Sequence, residues 1–427
     1  MHKPYHKIFK NFELKKNFIS FFNKSIFENI EIIAGKKVRD EVEKLGLEKM
    51  HKVFSVDYLP FLQFALNKKL KNTMYEFLFN VGKHDLNIKK SFFIDKTLNF
   101  RFNYPYKIKI RSKISRKIYR SINLDNYNNA SKELNLAKKA NYKYDNSDLT
   151  KIEYFKSTNN SLYLHSPHRD TWFAHSTKGL NLWLAISQVK DDNGMLLYPE
   201  VFKYNYQHDK NPAYIKDFYN LGKVYKPTLK SGELLIFNPE ILHATHLNTG
   251  DSTRVVFSGR IEINKPKFYN KGFQIKEPYW IKSNDVMNKN YNNAIIIKRE
   301  KENFIIDKKK LLKKQKIKKI NFDYNFEKNN HYKIFSINKK INKKILLNFK
   351  NISIGILKKK KILYAFNALC PHLKINLLNS EIKKDTIICQ GHGVEFDLNK
   401  EKSSCGHFNF KKYKIQKRDK YYYILAG

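Results

Sequence analysis

Two Cys/His pairs near the C-terminus constrain this chain more than any other feature. Cys370-Pro371-His372 is followed, after sixteen intervening residues, by Cys389-Gln390-Gly391-His392. Two thiolates and two imidazoles in this C-x-H and C-x-x-H form can hold a [2Fe–2S] cluster. Both thiolates then bind one iron and both imidazoles the other, which raises the potential above that of an all-Cys cluster. The same residue types also build Cys2His2 zinc sites, but those usually space their pairs differently. The following Gly393-Val394-Glu395-Phe396-Asp397 reads as a strand leaving the second loop, which favours the cluster.

The surroundings agree. From Tyr332 onward the chain reads as about seven short strands: 333–337, 345–349, 352–357, 362–366, 386–389, 413–415 and 421–425. Together these features resemble Rieske ferredoxin-type domains over residues 331–427. The resemblance implies Cys370, His372, Cys389 and His392 as ligands of a Rieske [2Fe–2S] cluster. One departure is visible: the glycine usual shortly after the first His is replaced by Leu373-Lys374. Three cysteines are too few for a disulfide scaffold, and Cys405 and His407 fall outside the ligand spacing.

A second metal pattern lies mid-chain. His168-Arg169-Asp170 stands just before a run of strands covering 160–265. A His-x-Asp pair supplies two ligands of the 2-His-1-carboxylate triad that holds Fe(II) on one face and leaves other positions open. The third ligand must be a distant His. His243 fits, after Leu234–Leu242, with His246 as a rival three residues on. His165 and His175 read as structural neighbours. Arg254 lies eleven residues beyond His243, where a guanidinium fork can pair with a carboxylate. Thr245 can add a hydroxyl. Alternation on Leu180–Val189 sets Leu182, Leu184 and Ile186 against Asn181, Trp183, Ala185 and Ser187. On the strand Arg254–Ile263, alternation gives Arg254, Val256, Ser258 and Arg260 one face.

Residues from about 160 to 262 resemble the phytanoyl-CoA dioxygenase family of Fe(II)/2-oxoglutarate oxygenases. The likeness rests on His168-x-Asp170, Asn193-Gly194 with Met195, Leu197 and Pro199, Gly232–Phe237, His243-Ala244-Thr245, Asn248 and Arg254. It implies a double-stranded β-helix, or jelly roll, with His168, Asp170 and His243 as iron ligands. It also implies Arg254, helped by Thr245, as the 2-oxoglutarate anchor. Asp170 is not replaced by Ala or Gly, which disfavours the halogenating variant.

The expected fold is therefore mainly β with N-terminal helices: a jelly-roll oxygenase domain and a small all-β Rieske domain. Residues 1–265 form the dioxygenase-like domain, helical to about 150 with the barrel core at 151–265. Residues 266–330 are an extension and basic linker, and 331–427 the Rieske domain. Helices are expected over Phe18–Ala34 and Val53–Phe79, strand over Phe92–Ile110, and a polar surface loop over Asn123–Asp148. The segment Asp209–Lys226 reads as an insertion able to cover a site mouth.

Charge narrows the partners. The chain carries 83 Lys plus Arg against 39 Asp plus Glu, a net charge of +44, but only ten of the cations are Arg. Lys is spread throughout, so nucleic-acid binding is not expected. The run Lys308–Ile320 reads as a linker or exposed helix. No window of eighteen apolar residues suggests a membrane span. No apolar stretch follows the basic N-terminus as in a signal peptide, so the cytoplasm is expected.

The expected activity is hydroxylation of a small organic substrate with O2. The cofactors are Fe(II), 2-oxoglutarate and the [2Fe–2S] cluster, with a reductase or ferredoxin as electron donor. The cluster feeds electrons or re-reduces the iron. Alternatives are a Rieske-fed oxygenase independent of 2-oxoglutarate, and an electron carrier with an inactive barrel. Substrate and oligomeric state are not written in the sequence.

Overall fold

The computed structural model describes residues 5–10, 13–96, 98–109, 164–173, 175–202, 204–207, 215, 219–267, 279–296, 317–327, 330–336, 344–359, 362–372 and 374–425. The polar loop expected at 123–148, most of the basic run 308–320 and much of the insertion 209–226 lie outside the described residues. The chain divides into two compact units. The first holds Met1–Leu197, Lys210–Ala213 and Tyr225–Ile306, and the second Tyr198–Asp209, Tyr214–Val224 and Asp307–Gly427.

In the first unit, strand β1 (His6–Phe9) precedes four helices: α1 (Glu13–Ala34), α2 (Lys36–Leu45), α3 (Leu59–Lys69) and α4 (Lys71–Asn80). Then come β2 (Phe93–Asp95), β3 (Asn99–Asn103), β4 (Leu180–Ala185), β5 (Met195–Tyr198), β6 (Leu234–Phe237), β7 (Leu242–Thr245), β8 (Arg254–Glu262), β9 (Tyr279–Lys282) and β10 (Ala294–Ile296). An eight-stranded sheet runs β1-β6-β4-β8-β2-β9-β10, with β3 also on β8. A second, short sheet pairs β5 with β7, extended by bridges Val189–Leu229, Leu197–Tyr225 and His168–His243. These two antiparallel sheets are the jelly-roll elements expected from the sequence.

One face of the large sheet packs on the helices. Ile19, Phe22, Ile26, Ile30 and Ile33 recur at helical spacing on α1 and are buried. They share a core with Leu182, Leu184, Phe100, Phe102, Val255 and Phe257. Phe22 meets Phe100 edge-on with centroids 5.4 Å apart, and Phe77 meets Phe257 at 5.7 Å. Each such ring contributes about 1.5–3 kcal/mol by leaving water. Because alternate residues face opposite ways, the strands turn their polar set to the other face: Asn181 and Trp183 on β4, Arg101 on β3, and Arg254, Ser258 and Arg260 on β8. That face builds the first site.

The helical stretch expected at 53–79 comprises α3 and α4. A 3-10 turn at Val56–Tyr58 precedes α3, and Leu70 separates α3 from α4. The strand expected across 92–110 is divided into β2 and β3, and Pro105 ends it before a short helix at Tyr106–Lys109.

The second unit contains β11 (Lys318–Asn321), β12 (His331–Ser336), β13 (Lys344–Asn348), β14 (Ser353–Lys359), β15 (Ile362–Asn367), β16 (Glu381–Lys383), β17 (Thr386–Ile388), β18 (Glu395–Asp397), β19 (Lys412–Arg418) and β20 (Tyr421–Leu425). Seven strands form one sheet in the order β11-β13-β14-β15-β19-β20-β12, and β16-β17-β18 form another. Tyr332, Ile345, Leu347, Phe349, Ile354, Ile356 and Ile424 supply its core.

Candidate metal centres

His168 and His243 face each other across an antiparallel bridge, each amide donating to the other's carbonyl at 2.9 Å. Upstream the pairing continues with the Thr245 amide on the His165 carbonyl at 2.9 Å, while downstream Asp170 opens a 3-10 turn to Phe173 instead of continuing a strand. The turn swings the carboxylate back. Asp170 Oδ1 lies 3.5 Å from His168 Nε2 and 3.4 Å from His243 Nε2. The ligand atoms of all three residues fall within 4.8 Å of one another, and all three residues are buried.

The ring orientations fit a metal. His168 Nδ1 lies 2.7 Å from the Ser166 carbonyl, and His243 Nδ1 lies 2.9 Å from the Ile241 carbonyl. A carbonyl only accepts, so in each ring Nδ1 carries the proton and donates. Each Nε2 lone pair then points at the Asp170 side, the arrangement metal-binding histidines favour. Burial, then the neighbouring His243, pushes the His168 pKa down, which keeps its ring neutral. Burial alone would raise the Asp170 carboxyl, but Arg260 and then His243 hold it well below the usual range. The intervening Arg169 points away, toward Glu240 at 3.4 Å.

The rival His246 is turned elsewhere: its Nδ1 donates to the Leu247 carbonyl at 2.6 Å, and burial lowers its pKa to about 3. The His165 ring lies tilted beside that of His168, centroids 5.1 Å apart, and its carbonyl accepts from the Thr245 amide at 2.9 Å. Thr245 lies two residues beyond His243 on β7 and so shares its face.

Arg254 is buried on the polar face of β8. Its guanidinium lies 5.0 Å from the centre of the Trp183 ring, and Nη1 donates to the Gly194 carbonyl at 3.2 Å. Its shielded Nε has no hydrogen-bond partner among the described residues. Burial, then the like charge of Arg101, lowers its pKa to about 9. A buried cation of this kind is costly until an anion joins it. The Asn181 side-chain oxygen and nitrogen are likewise shielded and without partners among the described residues.

Sequence reasoning missed Arg260 as a site residue, although alternation already gave it the face of Arg254. Its Nη2 donates to Asp170 Oδ2 at 2.7 Å, and its Nε to the same oxygen at 3.2 Å. Asp95 and Asn181 were missed as well, because only the strand pairing brings them alongside.

In the second unit, Cys370 and His372 stand in the loop after β15, and Cys389 and His392 in the loop from β17 to β18. The His372 and His392 rings are 5.2 Å apart. Cys370 and Cys389 are both buried. The Cys370 sulfur beside it, and then burial, hold the Cys389 thiol well above its ordinary range. Two thiols pressed together out of water suit a cation that binds thiolates. The first loop is closed by the Cys370 amide on the Ile375 carbonyl at 2.8 Å and the Lys374 amide on the Cys370 carbonyl at 2.7 Å. Lys374 takes the left-handed backbone, φ 60°, where a glycine was expected. The second is closed by the Cys389 amide on the Val394 carbonyl at 2.8 Å, with Gly393 at φ 75°. A side chain at Gly391 would run into Ile375, so the two loops abut there. Tyr198, the last residue of β5 and the first that this unit takes from that stretch, is buried, and its hydroxyl donates to the Gln390 carbonyl at 2.6 Å.

Residues 79–256 match the phytanoyl-CoA dioxygenase (PhyH) family, and residues 338–413 match the Rieske [2Fe-2S] domain. The phytanoyl-CoA dioxygenase match thus lies N-terminal to the Rieske match. The former family comprises non-haem iron oxygenases, so the chain is an oxidoreductase. No curated protein matches it. Among solved structures, the chain is similar to the ferredoxin of carbazole 1,9a-dioxygenase from Nocardioides aromaticivorans IC177. That alignment has 13% identity and a TM-score of 0.21, covering 23% of this chain and 98% of that one. Oxygenase chains of a carbazole 1,9a-dioxygenase are matched over 29% of their length. The non-haem α-ketoglutarate-dependent carbocyclase SnoK from nogalamycin biosynthesis is 10% identical, with a TM-score of 0.33. Its alignment covers 70% of this chain and 90% of that one. EvdO2 from Micromonospora carbonacea var. aurantiaca, complexed with 2-oxoglutarate, is 15% identical over 25% of this chain and 49% of that one, at a TM-score of 0.20. The two family matches carry the assignment. No helix among the described residues is long and apolar enough to cross a membrane.

Proposed function

We propose that this chain is a 2-oxoglutarate-dependent hydroxylase of a small organic substrate, with its Rieske cluster supplying electrons or re-reducing the mononuclear iron. His168, Asp170 and His243 hold Fe(II), and Cys370, His372, Cys389 and His392 hold the cluster. The observation that carries 2-oxoglutarate use is Arg254: a buried guanidinium with an open donor, on the polar face of the sheet that also carries Arg260. Its fork suits a carboxylate, and Thr245 assists it. The functional division at about residues 265 and 331 is part of the same reading.

Bound Fe(II) supplies O2 activation, while decarboxylation of 2-oxoglutarate to succinate and CO2 supplies two electrons. One oxygen atom of O2 enters succinate and the other the hydroxylated product. The residues of this chain orient and exclude. The rings of His168 and His243 are fixed by their Nδ1 bonds to the Ser166 and Ile241 carbonyls. Asp170 stays ionised beside Arg260. Trp183 and Arg254 set the co-substrate's direction, and the buried walls keep water out.

The attached Rieske domain favours one other reading, an electron-fed oxygenase that needs no 2-oxo acid. A reductase or ferredoxin partner would serve either. Product and succinate are quantified together, with and without NAD(P)H and a reductase. One succinate per product supports the proposal. Product without succinate, dependent on the reductase, replaces it with the electron-fed reading.

A further inference from the structure

We propose that Arg260 is a positioning residue that makes Asp170 a one-oxygen metal ligand, an inference that rests on the mononuclear iron reading above. The two oxygens of Asp170 have different neighbours. Oδ1 faces His168 Nε2 and His243 Nε2 at 3.5 and 3.4 Å. Oδ2 receives both Nη2 and Nε of Arg260, at 2.7 and 3.2 Å. Two donors on one oxygen occupy its lone-pair directions, and only Oδ1 remains for a metal.

Arg260 is itself held. The β2–β8 register pairs Ile94 with Ile261 and so brings Asp95 alongside Arg260. Asp95 Oδ2 lies 3.7 Å from Arg260 Nη1 and 3.7 Å from His175 Nδ1. The His175 amide donates to the Asp170 carbonyl at 3.3 Å, which closes the circuit. On its other side Arg260 sits opposite Asn181 of β4. Asp170, Arg260 and Asp95 are thus a row of alternating charge, with the outer carboxylate fixing the guanidinium and the guanidinium fixing the ligand.

The arrangement has a chemical consequence. A 2-oxo acid needs two positions on the metal and O2 needs another. A carboxylate free to chelate through both oxygens would close one of them. Arg260 prevents this, and keeps the ligand triad in place before any metal arrives.

Charge and positioning make opposite predictions here. If Arg260 acted only as a nearby cation, its removal would tighten the binding of a dication. If it positions Asp170, removal weakens binding, by roughly 10- to 100-fold as for other residues that orient metal ligands. The test is Mn(II) binding to the full-length, cluster-loaded, oxidised protein without O2, read from the EPR signal of free Mn(II), with and without 2-oxoglutarate. Wild type binds one Mn(II) per barrel, and 2-oxoglutarate tightens it. Arg260→Gln is expected to bind more weakly and to lose most of that tightening. Arg260→Lys restores the charge without the fork and stays nearer the Gln variant. Asp95→Asn, which loosens Arg260 without removing it, gives a smaller loss and guards against a misfolded Arg260 variant. Arg260→Gln or Asp95→Asn binding as tightly as wild type, or more tightly, overturns the inference. Wild type that binds no more Mn(II) than Asp170→Ala overturns the iron reading itself.

Discussion

His168 and His243, seventy-five residues apart, exchange both of their backbone hydrogen bonds, at 2.9 Å each. The bridge is made by main chain, so it does not depend on the imidazoles. His243→Ala is therefore expected to keep its fold, with stability changed by about 1 kcal/mol or less. It is expected to lose high-affinity metal at the barrel while the cluster spectrum persists. Thermal melts alongside iron and sulfide analysis check this.

Tyr198 ties its chain segment to the second cluster loop through one buried hydroxyl, 2.6 Å from the Gln390 carbonyl. Tyr198→Phe removes that bond at a cost of about 0.5–1.5 kcal/mol. Hydrogen bonding around such a cluster sets its potential. With the carbonyl unpaired, more negative potential faces the cluster, and its midpoint is expected to fall. An EPR-monitored redox titration of both proteins checks the direction.

Glu262, at the end of β8, is buried, and burial raises its pKa to about 8. Its ordinary value is about 4.3. The stability contributed by the neutral form is complete below the ordinary value and is lost as pH rises to about 8. Glu262→Gln is expected to gain on wild type across that window, by about 1.4 kcal/mol per pH unit at most, and to hold a constant advantage above it. Denaturation at a series of pH values checks this. A constant difference at all pH values would contradict it.

Lys374 occupies a left-handed conformation in the first cluster loop. That conformation costs a residue with a Cβ about 1–2 kcal/mol, partly offset by the extra freedom glycine has when unfolded. Lys374→Gly is expected to keep the cluster and to gain up to about 1 kcal/mol. Thermal unfolding of the holoprotein measures the gain, and a bleached cluster would contradict it.

The parts legible in sequence were those set by short spacing. His168-x-Asp170, the Cys370 and Cys389 pairs, and the alternation on Arg254–Arg260 need only local geometry. Helix α1 was legible because one turn repeats through Ile19, Phe22, Ile26, Ile30 and Ile33. Strand β1 was not: four residues, His6–Phe9, gain their place only by pairing with Phe237–Leu234. Asp95, Asn181 and the place of Arg260 beside Asp170 were not, because β2, β8 and β4 come together through a register that no local pattern states. The loop around Lys374 was legible as a departure, but only the backbone shows how a lysine fills the glycine position.

The most direct test is a count made on the purified, anaerobically loaded protein: iron and acid-labile sulfide, then 2-oxoglutarate added to the Fe(II) form of a cluster-free Cys389→Ser variant. Two independent centres require about three irons per two sulfides in the wild type. The variant should show the weak visible charge-transfer band of a 2-oxo acid chelated to Fe(II). About two irons per two sulfides, with no band in the variant, would contradict a working mononuclear centre at His168, Asp170 and His243.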